Sequence, residues 1–150
     1  MLRTRHLACV AFILTTAATM AAQDQAEEEL RRIQGVWAVT AGEQRGRPLD
    51  AIKGGVLSIA ERSFALKTAA GNEFKGDLRV NPGASPRQLD FVHANGGPVW
   101  EAIYSVNDDV LRLNYVEGGG SDKRPTIFAT TADSAGTVIV MRRVSTLTPQ

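Results

Sequence analysis

The chain has 150 residues, with 17 lysines and arginines, 16 acids, two histidines and one cysteine. A near-neutral chain without a basic block lacks the electrostatic footprint of a nucleic-acid binder. One cysteine excludes a disulfide within the chain, and the two histidines have no zinc-ligand spacing around them.

The first residues predict an address. Arg3 and Arg5 precede an uncharged run of 14 residues from Leu7 to Met20, and Thr19-Met20-Ala21 puts small residues at the −3 and −1 positions of a cleavage site. A basic start, a short apolar run and an A-x-A-like end read as a secretory signal over residues 1–21. The run falls short of the roughly 20 residues that cross a bilayer as a helix, so no stable membrane span is expected after cleavage. Cys9 lies at the start of the run, not after it, which argues against a lipoprotein. Cleavage would remove Arg3 and Arg5, so 17 basic residues become 15 against 16 acidic ones. It would also remove the thiol and leave His93 as the last histidine. The expected destination is the periplasm or the extracellular space. What remains is one domain, large enough to bury a core without staples.

Residues 22–34 form a short helical segment in front of the domain. Asp24 is placed to cap a helix over 24–34, Glu27, Glu28 and Glu29 fall in its first turns, and Arg31 and Arg32 near its end. That order suits the helix dipole. Leu30 and Ile33 share one side, which can lie over an apolar surface, while the glutamates read as a solvated face.

From Gly35 the period changes to two. Val36–Thr40 is the first strand, followed by a polar stretch. Gly55–Ala60 and Ser63–Thr68 then flank Glu61-Arg62, a two-residue hairpin turn. Phe74, Gly76, Leu78 and Val80 alternate with Glu73, Lys75, Asp77 and Arg79, the pattern of a half-buried antiparallel strand. Leu89, Phe91 and His93 continue the inward face. Trp100, Ala102, Tyr104 and Val106 line the next strand, "NDD" turns the chain, and Leu111, Leu113 and Tyr115 follow. After the loop "EGGGSDKRP", Thr137–Arg143 supplies the last strand. About eight short strands joined mostly by short turns predict an all-β meander over 35–145. It escapes exposed edges by closing into a small antiparallel up-and-down barrel.

A short helix followed by Gly35-x-Trp37 on the first strand of such a barrel resembles the start of a lipocalin. The chain as a whole resembles a planctomycete-type family of uncharacterised secreted, lipocalin-like domains. The matching stretches run in the family's order from Leu30 to Val144: "IQGVW", "FKGDLRVNP", "LDF", "IYSVNDDVLRL", "RPTIF" and "VIVMRR". This chain has Ala102 where the family often has glycine, and lacks a cysteine often found near Asn114. Both changes are small and leave the barrel expectation intact, but cysteine chemistry becomes untenable here. The resemblance implies a barrel and an exported protein, and no activity. It also implies a role for Trp37: the plug of the barrel's base, with Gly35 beside it and an arginine of the last strand, Arg142 or Arg143, stacked on its ring. A guanidinium over an indole is worth about 0.5–2 kcal/mol.

Candidate ligand-binding residues lie toward the other end. Trp100, Tyr104, Tyr115 and His93 offer aromatic faces, and Arg124 precedes a proline that fixes the local chain. His93 reads first as a satisfied rim residue. Arg124 either anchors its loop through an acid or a carbonyl, or meets an anion at the barrel mouth. No nucleophile elbow, phosphate loop or acid pair has the spacing that catalysis needs, and no cofactor is implied. The expected function is therefore non-enzymatic binding of a small apolar or amphipathic molecule within the barrel. The runner-up is a protein-binding module, such as an inhibitor of a secreted hydrolase. The first requires an internal cavity, and the second an ordered, exposed segment outside the barrel.

Overall fold

The computed structural model describes residues 11–118, 120 and 123–145, with side chains described between residues 19 and 144. Arg3, Arg5 and Cys9, on which much of the expected leader rests, lie outside the described residues.

Helix α1 runs from Ala11 to Ile33 without a break. Asp24 is therefore inside the helix and does not cap it, because the alanine-rich stretch before it is itself a good helix former. No helix among the described residues is long and apolar enough to cross a membrane. Leu30 and Ile33 are buried on the side that faces the barrel. The glutamates divide: Glu27 and Glu28 are exposed, but Glu29 is buried, so that part of the solvated-face reading is corrected. It is buried because partners meet it there, as shown below.

Nine strands follow among the described residues: β1 (Gly35–Gln44), β2 (Arg47–Pro48), β3 (Val56–Ala60), β4 (Ser63–Lys67), β5 (Glu73–Asn81), β6 (Gln88–His93), β7 (Trp100–Asn107), β8 (Val110–Glu117) and β9 (Thr137–Ser145). Each pairs antiparallel with its neighbours, and β1 closes the ring by pairing along β9. The two-residue β2 is a side branch of β1, so eight strands make the barrel wall. Closure leaves the eight wall strands, among the described residues, each paired on both sides.

β1 is longer than its alternation suggested, because two register shifts bend it between two partners, β3 and β9. The two-residue turns at Glu61 and Asp108 close without glycine, each with a positive φ at that residue (53° and 47°). Gly76 is not spare room inside the barrel. A Cβ there would lie 1.9 Å from the Val92 carbonyl oxygen, so the glycine lets β5 and β6 close together where the wall bends.

The core is contiguous and apolar, with Trp37, Leu57, Ile59, Leu89, Tyr104, Leu111 and Met141 almost wholly buried. An eight-stranded barrel can be filled by side chains or hold one small ligand. This one is filled. Its internal cavity is about 20 Å³, lined only by apolar and aromatic side chains. That is room for about one water molecule, and a site without polar partners does not hold one.

Candidate functional site

The base of the barrel is closed by α1 and Trp37. The indole Nε1 donates to the Ile33 carbonyl at 2.8 Å, tying the first strand to the last turn of the helix. Arg143 lies over the ring, its guanidinium carbon 4.1 Å from the ring centre. The same guanidinium donates to the Gln34 carbonyl and, at 2.9 Å, to the Arg32 carbonyl, so it also caps the helix C-terminus. Of the two arginines, Arg143 stacks because it shares the inward face of β9 with Ile139 and Met141. Arg142 is exposed. Gly35, with φ 131°, carries the chain from helix to strand in a conformation that other residues rarely adopt.

Tyr104 belongs to this end as well, not to the mouth. It sits four residues along β7 from Trp100, roughly 13 Å away. Its hydroxyl donates to Glu29 at 3.0 Å. Glu29 in turn pairs with Arg32 at 2.6 Å and Arg87 at 3.2 Å. One carboxylate thus latches the helix to β7 and to the loop before β6. Desolvation, then the negative charge of Glu29, pushes the Tyr104 phenol well above the usual tyrosine range. Burial also raises Tyr115, with Glu117 adding to the effect.

Tyr104 and Tyr115 are the only tyrosines in the chain, which makes the consequence measurable. A phenol held neutral by the fold keeps its proton where the unfolded chain loses one, so stability falls as pH rises through the unfolded value of 10.0. Below that pH the contribution is fully present. An ultraviolet difference titration should therefore show less tyrosinate at pH 10.0 in the native barrel than in the unfolded chain, then a cooperative rise coincident with unfolding. Half-ionisation at pH 10.0 with the fold intact would show that both hydroxyls are solvated.

The mouth is closed by rings. His93 and Trp100 meet at 4.4 Å between ring centres, Trp100 and Tyr115 at 5.2 Å, and Phe74 and Trp100 at 5.1 Å. The pairs with His93 and Phe74 are edge-on or tilted, as the ring quadrupoles favour. His93 is buried against these rings and Phe64, and its Nε2 has no hydrogen-bond partner. Three of the residues read as candidates, His93, Trp100 and Tyr115, are therefore brought together here. Beside Tyr115 the rim opens into a recess of about 370 Å³, shared with Gln44, Glu117, Lys123 and Thr137. Gln44 donates to the Thr137 hydroxyl at 3.0 Å across it.

Arg124 lies elsewhere again. Asp90 and Glu101 are opposite each other on the outer faces of β6 and β7, a like-charge pair that would repel on its own. Arg124 joins them from outside the wall, with Nη1 at 2.7 Å from Asp90 and Nη2 at 3.5 Å from Glu101. Nη1 also donates to the Ala102 carbonyl at 2.8 Å. So of the two roles read from sequence, the arrangement fits the anchor. Its partners are outward acids and a carbonyl.

That anchor fixes a strap, the described stretch 123–136 of the connection from β8 to β9, across the outside of β7, β8 and β9. Asn114 Nδ2 donates to the carbonyls of Ile127 (2.8 Å) and Ala129 (3.3 Å). Glu43 accepts from the amide and hydroxyl of Thr130 (2.8 and 2.7 Å), and these bonds hold its carboxyl below the usual range. Arg112 lies over the Phe128 ring at 5.4 Å. Sequence reasoning missed Glu29, Asn114 and the Asp90–Glu101 pair. Only the last had a signal, available once β6 and β7 were placed in register.

Among the described residues, no group of three histidine, cysteine or acidic side chains is placed to hold a metal ion. Compared with protein-family models, curated proteins and solved structures, the chain matches none.

Proposed function

We propose that this is an exported, non-enzymatic binding protein that takes a small amphipathic molecule at the ring-lined mouth of the barrel. One observation carries the reading. The rim recess of about 370 Å³ is lined by Tyr115, whose ring packs on Trp100, and it has the size of a small-molecule pocket. The Tyr115 ring and Val116 supply the apolar contact, and Gln44, Thr137 and Lys123 supply polar groups for orientation. The filled interior restricts the ligand to a compact one, because a long acyl chain would have nowhere to go. Export rests on the basic start and short apolar run of the first 21 residues, and the lipocalin-like resemblance agrees with it.

A second reading is favoured by the helix. Ala22–Gln25 of α1 is exposed and lies outside the barrel, the arrangement a protein-binding module needs. Native mass spectrometry of the protein purified from its own host separates the two and tests export in the same spectrum. The expected mass is that of a chain starting near Ala22, with a small non-covalent addition lost on activation. A chain retaining Cys9 would overturn export. A bare chain that also fails to quench Trp100 fluorescence with any small amphipathic anion would transfer the proposal to the protein-binding module.

A further inference from the structure

The geometry points to a second ligand site, adjoining the mouth recess, in the recess between the strap and the outer wall. It would take a compact neutral molecule carrying an amide N–H beside an apolar group. Ile103, Asn114 and Val138 lie side by side across β7, β8 and β9 on the outer face, and the strap buries all three. A polar side chain in the middle of an apolar row calls for a reason. Half of one is visible, since Asn114 Nδ2 holds two strap carbonyls. Those two bonds also fix the amide's orientation, because turning it over would set its oxygen against two carbonyl oxygens.

The other half is Oδ1. It is buried, in a residue only 2% exposed, and accepts no hydrogen bond. Buried acceptors are nearly always paired, so one left bare beside a recess marks where a donor belongs. The recess is about 320 Å³, and Asn114 and Gly136 both line it. A Cβ at position 136 would stand 2.5 Å from Oδ1, so only glycine fits beside that oxygen. Val116, buried, and Ile127, 59% exposed, offer apolar surface on the same recess, and the exposed Lys123 also lines it. A secondary amide matches this set: its N–H donates to Asn114 Oδ1, its oxygen accepts from Lys123, and its methyl groups lie on Val116 and Ile127. This recess shares Val116, Lys123 and Ala135 with the mouth recess, so binding is read at Asn114 and Gly136, which line this one and not the other.

The test uses N-methylacetamide and its donor-free analogue N,N-dimethylacetamide, titrated into the nitrogen-labelled protein and followed by NMR. N-methylacetamide is expected to shift the Asn114 side-chain and Gly136 backbone signals saturably. N,N-dimethylacetamide should bind at least about tenfold more weakly, the effect of one lost hydrogen bond to a buried acceptor. Gly136→Ala, which places a methyl group against Oδ1, should abolish the shifts while the Trp100 indole signal stays put. Should that variant fail to fold, the amide pair on the native chain decides alone. Equal shifts from both amides, no saturable shift from either, or shifts confined to Trp100 and His93 would overturn the second site.

Discussion

Replacing Trp37 with alanine should destabilise the barrel by about 3–5 kcal/mol, the range for large-to-small aromatic changes in a core. Trp37 is fully buried and touches three things at once: the apolar floor of the barrel, the Ile33 carbonyl and the Arg143 guanidinium. Alanine removes all three and leaves a void where the helix meets the sheet. Arg143 then loses the ring that covers its plane while remaining tied to the helix carbonyls. Set against a typical total of about 5–15 kcal/mol, the loss should leave much of the protein unfolded at moderate temperature. Urea unfolding followed by the remaining tryptophan, Trp100, reads it directly. A midpoint close to the wild-type value would mean that the helix and Trp37 do not close the base.

The second large effect belongs to Arg124. Arg124→Met should destabilise by about 3 kcal/mol, the low end for removing one partner of a buried ion pair, since Asp90 remains a quarter exposed. Methionine fills the volume, so the loss reports charge, not packing. Asp90 and Glu101 are then left facing each other with no cation between them. Adding Asp90→Asn and Glu101→Gln to the same variant should return most of the stability, because the repelling charges are gone. The strap would remain tethered by Asn114 and Glu43. If Arg124→Met unfolds at the wild-type urea concentration, the guanidinium does not hold the strap. If the triple variant is no better than the single one, repulsion between the two acids is not the cause.

Both predictions concern residues that sequence reading had singled out, yet it located one and not the other. Trp37 was legible because the switch from a charged helical segment to an alternating strand puts Gly35-x-Trp37 at the junction, and a junction in a closed barrel is an end. Arg124 was legible as a residue with a partner, but its place was not. A loop's side is set by which face of the wall has buried groups for it to cover, and that depends on strand register. The choice between Arg142 and Arg143 has the same cause. Parity along β9 decides it, and two register shifts in the partnering β1 hide that parity from the sequence.

The antiparallel barrel of eight wall strands, its inward rings and the buried side of the helix at Leu30 and Ile33 were determined by the sequence alone. Apolar period and turn chemistry are local properties, and each survives without knowledge of the partner strand. Tertiary structure alone decided everything that depends on distance across the barrel. It separated Tyr104 from Trp100 by a strand's length, filled the interior until about 20 Å³ remained, and turned Glu29 inward to a phenol and two guanidiniums. A carboxylate is buried only where charges and donors converge on it, and that convergence comes from residues 58 and 75 positions away in the chain.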